Sequence, residues 1–428
     1  MNPNPLQKNR IFILSTDSDY VLDFLHARYC RSLCFACAHF VPRSPDFVRP
    51  KIRLMNLCDK QVRFCHKSGT GNKCMGSLTQ NARRCVTRTP CTTSTCKAAS
   101  DNIKIGNVEI KSCLVLAPMA GITDMPLRQL VRKFSKNCLL TTEMISSEML
   151  MQNRPDEHEK ITVFKNNEYP LAFQISGHKP FMMAKAAKIL ADKGASIIDI
   201  NMGCPVKKVV SGGDGSALMR TPQLAADIVK AVKDTVDIPV TVKFRLGYTA
   251  SEQNFMEFAS LMQSAGADAM TIHCRTRSQM YSGNANWGAI AQIKKEIRVP
   301  VFANGDIVSP ETAKECLEKA GTDGIAVARG VLGQPDLIYR IEHYLSTGEI
   351  LPEPDIVQKI ELLKEHISDE IKLRGEKVAM QFVRKFYPYY IRGIRDAAIY
   401  RGRLVTETDF NRVMEILDLI AKTETAAV

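Results

Sequence analysis

The chain has 428 residues, of which 45% are hydrophobic and 24% charged, as is ordinary for a globular protein with more than one domain. No uninterrupted apolar run of about 18 residues occurs, which argues against a membrane-spanning helix. The formal net charge of +13 is uneven, because residues 1–100 hold 16 Lys/Arg and only 5 Asp/Glu. A high overall pI is therefore weak evidence for nucleic-acid binding.

The first hundred residues also differ from the rest in pattern. They hold nine of the 14 cysteines and show no sustained helical or alternating periodicity. No clear secretory signal precedes them, so we expect a reducing compartment, a cytoplasmic location and no disulfide framework. Residues 1–102 are predicted to form a mostly disordered, basic, Cys-rich extension.

Two metal sites were weighed for this extension. Cys30, Cys34 and Cys37 have the spacing of a radical S-adenosylmethionine iron–sulfur site, but no barrel pattern begins at that point. A zinc site drawn from cysteines and a histidine between residues 58 and 74 lacks two C-x₂-C pairs. We therefore predict no metal site.

Short apolar runs alternate with helical segments from residue 103 onward. Helix ends are signalled by Pro222 in a first turn and by Gly194, Gly266 and Gly321 after final turns. The eight runs are 114–117, 138–141, 171–175, 197–200, 240–244, 269–272, 301–303 and 324–328. Their number and continuous apolar character predict an α/β protein, a (β/α)₈ TIM barrel over residues 103–345.

An open, doubly wound sheet is the competing architecture. Such a sheet usually carries a G-x-G-x-x-G turn after its first strand, and residues 117–123 lack that spacing. The barrel is therefore favoured.

A small helical domain is predicted for residues 346–428. Ile356–Arg374 and 410–422 have helical spacing, while 378–400 contains Pro388 and Gly393 and should be broken or kinked. Nine basic and two acidic residues lie within 371–403, a concentrated charge that suits phosphate binding.

Polar residues follow most of the apolar runs, at the edge where TIM barrels carry their active sites. Cys204 lies there in the segment Asp199-Ile-Asn-Met-Gly-Cys-Pro205.

The other strand-end residues suit a flavin mononucleotide. Gln174 can donate to and accept from the ring edge, and Lys243 offers a cation near N1 and O2. Residues 304–306 and 328–330 offer backbone N–H groups and a guanidinium to the phosphate.

Five motifs resemble those of the tRNA-dihydrouridine synthases, most closely the bacterial B-type enzymes. They are Leu116-Ala-Pro-Met-Ala-Gly-Ile-Thr-Asp124, Asn201-Met-Gly-Cys-Pro205, Val242-Lys-Phe-Arg245, Ile272-His-Cys-Arg-Thr-Arg277 and Ala303-Asn-Gly-Asp306. The resemblance covers residues 103–422 and implies an FMN enzyme that reduces the C5=C6 bond of specific tRNA uridines with NADPH.

The resemblance also implies roles for individual residues. Cys204 corresponds to the family's proton donor. The chain departs from the family pattern at Cys274 and Ala328, where glycine is usual. The positions of the flavin-binding motifs are Pro118, Met119, Ala120, Gln174, Lys243, His273, Asn304, Gly305, Asp306, Ala328 and Arg329.

The chemistry of the motif agrees with this role. After a hydride passes from flavin N5 to uracil C6, carbon C5 needs a proton. An unperturbed thiol has a pKa of about 8.5 and is protonated near pH 7, so Cys204 suits the acid role better than an ionised carboxylate.

Basic residues at two places are predicted to contact tRNA. In the helical domain they lie among aromatic residues at 386–390, a mixture that suits phosphate pairing and base stacking. The predicted contacts are Arg275 and Arg277 near the barrel mouth and Arg384, Lys385, Arg392 and Arg395 in the helical domain. The expected partner is thus tRNA, with no membrane, for a monomeric enzyme.

Two other functions were considered. An FMN-dependent dehydrogenase of a small pyrimidine, such as dihydroorotate, would share the barrel but would have no use for a basic helical domain. An RNA-binding or chaperone protein on an inactive barrel would have no use for Cys204 and the strand-end residues.

Overall fold

The computed structural model describes residues 102–152 and 155–425, and its centre is a parallel sheet of eight strands. The strands are β3 (Leu114–Leu116), β4 (Leu140–Ser146), β5 (Leu171–Ser176), β6 (Ile197–Met202), β7 (Val240–Arg245), β8 (Ala269–His273), β9 (Val301–Asn304) and β10 (Gly324–Val327). They pair in the order β3-β10-β9-β8-β7-β6-β5-β4, and a parallel bridge between Val115 and Leu139 joins the two ends of this order, so the sheet is closed. The predicted TIM barrel is confirmed, and the open sheet is wrong.

A hairpin that the sequence analysis did not predict precedes the barrel. Strands β1 (Ile103–Ile105) and β2 (Val108–Ile110) pair antiparallel. Ile105 and Ile110 are buried and pack against interior barrel residues such as Ile197. The hairpin therefore covers the amino-terminal end of the barrel.

Helices surround the barrel, and one of them begins at Pro222 as predicted. Pro222 and Pro310 lie in first turns, and the Ser309 hydroxyl accepts from the N–H of Thr312 at 3.2 Å as an N-cap. Gly321 ends one helix with φ +60°, a conformation that glycine adopts at little cost. The helices of this part are Met125–Phe134, Ser147–Leu150, Pro155–Thr162, Pro180–Asp192, Lys207–Val210, Pro222–Lys233, Phe255–Ser264, Pro310–Ala320 and Leu337–Thr347.

The connection after β8 differs from the others. Two 3₁₀ turns, Trp287–Ile290 and Ile293–Lys295, stand where a barrel helix is expected. Further 3₁₀ turns are Asn166–Glu168, Gly215–Arg220, Arg329–Val331 and Val383–Lys385.

Helices complete the described chain, and they pack directly on the barrel. Their core includes Leu130 and Leu332 of the barrel part together with Leu363 and Leu417. The helices are Ile356–Arg374, Glu376–Phe382, Tyr387–Tyr390, Ala397–Thr406 and Phe410–Thr425, so the predicted break within 378–400 is present. We call residues 356–425 the helical part. The domain boundaries near 102 and 345 stay predictions.

Within the described ranges, no helix has both the length and the apolar character that crossing a membrane requires. The predictions made for residues 1–101, including the two metal sites that were weighed, lie outside the described residues.

Candidate active site

Cys204 lies in the loop that follows β6, and its backbone is held on both sides. The Oδ1 atom of Asn201 accepts from the N–H of Cys204 at 2.9 Å, and the Cys204 carbonyl accepts from the Ser216 hydroxyl at 2.9 Å. A Cβ at Gly215 would lie 2.8 Å from that carbonyl oxygen, so only glycine allows the approach. These contacts fix a half-buried thiol at the carboxyl end of the barrel.

A chain of hydrogen bonds inside the barrel leads to this loop. The Thr241 hydroxyl donates to Asp199 at 2.6 Å, and Gln174 Nε2 donates to the other Asp199 oxygen at 2.7 Å. Asn201 Nδ2 in turn donates to Gln174 Oε1 at 2.9 Å. Burial raises the pKa of Asp199, while its hydrogen bonds with Thr241 and Gln174 act in the opposite direction. With both Asp199 oxygens accepting, the orientation of the two amides is fixed, and Asn201 Oδ1 is directed toward Cys204.

Asp199 and Asn201 were not predicted to form this network, although a signal was present in the sequence. They alternate with isoleucines along β6, at Ile198 and Ile200, so both polar side chains face the same side of the strand. Polar residues at period two in an otherwise apolar strand indicate an interior network.

Asn201→Ala should lower the free energy of unfolding by about 1–3 kcal/mol, because it leaves Gln174 Oε1 and the Cys204 N–H unpaired in a buried site. Denaturant unfolding measures this change. The matched control is Asn137→Ala, at an exposed position, where we expect a change within about 0.5 kcal/mol. Equal effects of the two substitutions would contradict the proposed importance of the network.

Lys243 lies on β7 next to this network. Burial, followed by the nearby Arg245 guanidinium, lowers the pKa of Lys243 to about 8, while Asp199 and Cys204 act in the opposite direction. A cavity inside the barrel extends from Ile105 of the hairpin up to Lys243 and Pro118. Lys243 therefore lines this interior cavity.

His273 at the end of β8 lies among several cations. Burial lowers the pKa of His273 well below its usual value, and Arg245, Lys243 and Arg275 add to the effect. The ring is thus neutral near pH 7 and has one donor and one acceptor nitrogen. Arg245 itself is buried and donates to the Gly203 carbonyl at 2.7 Å, which ties the Cys204 loop to β7.

The loop after β9 has a special backbone that its own side chains stabilise. Asp306 has φ +55°, and its carboxylate accepts from Arg275 at 2.6 and 2.8 Å and from the Ala285 N–H at 2.7 Å. Gly305 has φ +124°, and an added Cβ would lie 2.9 Å from that of Ala285. Asn304 is buried and donates to the Ala326 carbonyl at 2.7 Å. In this structure Asn304 and Asp306 shape the loop.

Arg275 is a correction to the predicted tRNA contacts. It is 1% exposed, and its guanidinium also donates to the carbonyls of Ser282 and Gly283. A phosphate could not reach it without breaking these bonds and the pair with Asp306. Arg277 is half-buried beside the Tyr248 ring, 5.2 Å from the centroid, and its predicted role stays open.

Arg329 and the first barrel loop remain accessible at the rim. The Arg329 side chain is 50% exposed and lies 3.7 Å from Asp306 and 4.9 Å from the Tyr281 ring centroid. Pro118 and Met119 are half-buried and Ala120 is exposed in residues 117–124, the segment that we call the β3 loop. Ala328, next to Arg329, is half-buried.

The helical part presents its predicted RNA-binding residues unequally. Arg392 and Arg395 are exposed, whereas Arg384 and Lys385 are half-buried. The aromatic residues predicted to stack on bases are mostly core residues: Phe386, Tyr387 and Tyr390 are buried, and Tyr389 alone of the four is exposed. Two exposed lysines that were overlooked, Lys207 and Lys208, follow Cys204 closely.

An eight-stranded parallel barrel that gathers ionisable side chains at the carboxyl ends of its strands is the architecture of TIM-barrel enzymes. Residues 115–425 match the family model described as dihydrouridine synthase (Dus). The chain therefore belongs to the dihydrouridine synthase family of enzymes.

Similar proteins are found in several bacteria. The chain is 42% identical over 300 residues to a probable tRNA-dihydrouridine synthase of Rickettsia conorii. The aligned residues cover 70% of this chain and 90% of that relative. It is 39% identical over 318 residues to probable tRNA-dihydrouridine synthase 1 of Synechocystis, and the aligned residues cover 74% of this chain and 88% of that relative. It is 38% identical over 313 residues to tRNA-dihydrouridine synthase B of Pseudomonas aeruginosa, and the aligned residues cover 73% of this chain and 92% of that relative. The resemblance to the B-type enzymes is thus confirmed.

Proposed function

We propose that this protein reduces the C5=C6 bond of specific uridines in tRNA to 5,6-dihydrouridine, with FMN as cofactor and NADPH as reductant. Bound FMN would supply the hydride that C6 of the uracil ring receives. The observation that carries the proposal is the fixed Cys204 loop at the mouth of the barrel, within electrostatic reach of Lys243.

The donor set at the barrel mouth fits an anionic flavin nucleotide. Lys243 and Arg329 are cations for the ring edge and the phosphate, respectively. The Asp306 carboxylate, which would otherwise repel a phosphate, is paired with Arg275. Gln174, His273 and the backbone of residues 304–306 and 328–330 would complete the cofactor contacts, with residues 118–120 against the ring.

Cys204 supplies the proton in this proposal. Its S–H bond breaks as a C–H bond forms at C5, and the resulting thiolate regains a proton from solvent before the next turnover. The nearby Lys243 cation stabilises that thiolate transiently. A uridine can reach this site only after leaving its stack in the tRNA.

The exposed arginines of the helical part are proposed to bind tRNA phosphates. Replacing both Arg392 and Arg395 by glutamine should make the salt dependence of tRNA binding less steep by about one unit for each lost contact. Binding measured at several salt concentrations provides the slopes. Unchanged slopes would remove these two residues from the interface.

The overall proposal is tested by nucleoside mass spectrometry. The purified protein should be yellow and should form dihydrouridine in tRNA when NADPH is supplied. The tRNA of cells that lack the protein should lose dihydrouridine at the positions it modifies. A colourless protein, or turnover of free dihydroorotate without action on tRNA, would contradict the proposal.

A further inference from the structure

The β3 loop is held by the helical part of the protein. Its turn residue Gly121 has φ +69° and uses both of its backbone polar groups. The Gly121 N–H donates to the carboxylate of Glu143 on β4, and the Gly121 carbonyl accepts from the Lys385 amine. A barrel strand and the helical part therefore both form hydrogen bonds with the backbone of the same residue.

Lys385 is built into this position. It ends the 3₁₀ turn Val383–Lys385, is half-buried, and its amine lies 3.1 Å from the Phe382 ring centroid and 5.1 Å from that of Phe386. Burial lowers the pKa of Lys385 to about 8, although Asp124 and Glu143 counteract it. An amine placed on a ring face and bonded to a carbonyl is poorly placed to meet a phosphate in solvent.

A second link ties the end of the same loop to the helical part. Arg374, the last residue of helix Ile356–Arg374, donates to Asp124 at 2.5 Å and to Glu370 at 2.7 Å. Asp124 and Glu370 are buried, and so is the neighbouring His366. Ligand-type atoms of these three residues lie within 4.8 Å of one another, but the Arg374 guanidinium already supplies the positive charge there.

We propose that Lys385 is a positioning residue for the cofactor-binding β3 loop and not a tRNA contact. Through Gly121 and Glu143, the helical part sets the conformation of residues 118–120 before any RNA binds. The inference rests on the proposed function, because those residues are proposed to contact FMN. It predicts that a lesion in the helical part alters flavin binding even when tRNA is absent.

The test uses Lys385→Met in the full-length protein. Methionine has a side chain of similar length but has no amine to donate to Gly121. Because a hydrogen bond from a charged group is lost, FMN affinity should fall by about tenfold, with a similar slowing of flavin reduction by NADPH without tRNA. Affinity for tRNA should stay within about twofold, since rim phosphate contacts act independently. FMN affinity is read from fluorescence titration of the cofactor-depleted protein.

The matched control is Lys377→Met, an exposed lysine of the same helical part, which should leave FMN affinity unchanged. Glu143→Ala, on the barrel side, should weaken FMN binding as Lys385→Met does, and the two together should be less than additive. If Lys385→Met fails to fold, Lys385→Gln, which also removes the charge, carries the same test.

Two results separate the possible failures. Weaker tRNA binding with normal FMN affinity in Lys385→Met would make Lys385 an RNA contact and overturn the inference. Absence of FMN binding by the unmodified protein would instead overturn the proposed function.

Discussion

Cys204→Ala is expected to lower the rate of dihydrouridine formation by about 10²–10⁴-fold, the usual effect of losing a positioned proton donor. FMN should remain bound, and NADPH should still reduce it, because the proposed role of the thiol is confined to proton transfer to C5. Stopped-flow absorbance separates flavin reduction from its reoxidation by tRNA. The loss should appear in reoxidation alone.

A control for general loss of a thiol is available in the same barrel. Cys316 is buried in the outer helix Pro310–Ala320, outside the Cys204 loop. Cys316→Ala should leave both steps near their original rates. Full tRNA reduction by Cys204→Ala would show that the proton comes from another group.

Lys243→Met should weaken FMN binding strongly and yet stabilise the cofactor-free protein. The pKa of Lys243 is lowered to about 8, so below that pH the folded protein holds a poorly solvated cation. Removing it should raise the free energy of unfolding near pH 7, on the order of 1–3 kcal/mol. Denaturant unfolding of the cofactor-free proteins measures the gain.

The pH dependence gives the sign of the effect. An unfolded lysine has a pKa of about 10.4, so between about pH 8 and 10 the unfolded chain binds more protons than the folded chain. Stability of the unmodified protein should therefore rise with pH in this window, and FMN affinity should fall by up to about tenfold per pH unit. Lys385 titrates nearby, so the difference between unmodified protein and Lys243→Met isolates Lys243.

Lys230→Met, at an exposed lysine in helix Pro222–Lys233, serves as the control and should show neither effect. If Lys243→Met lowered stability at pH 7, the amine would be a net stabilising group, contrary to its lowered pKa.

Much of the barrel could be predicted because its signals are local. Apolar runs, the prolines at helix starts and the glycines at helix ends each act within a few residues, and Pro222 and Gly321 lie where predicted. Cys204 was identifiable because glycine and proline flank it after an apolar run.

The contacts that the sequence could not show join distant segments. Arg275 was predicted to contact tRNA near the barrel mouth, but Asp306, 31 residues away, holds it in the interior. Lys385 was expected to meet RNA, but its carbonyl partner Gly121 lies 264 residues earlier in the chain. The periodicity and motif spacing of a single sequence do not show which distant residues contact each other. The alternation of Asp199 and Asn201 along β6 could have been recognised and was overlooked.

The β1–β2 hairpin bears on the order of events in a turnover. By filling the floor of the cylinder with Ile105 and Ile110, it leaves the upper rim as the entrance that the described residues provide to the interior. In the proposed reaction, a nicotinamide and a flipped-out uracil would both enter by this rim and compete for the same space. The proposed reaction would then follow a double-displacement order, in which the oxidised nicotinamide leaves before the uridine binds.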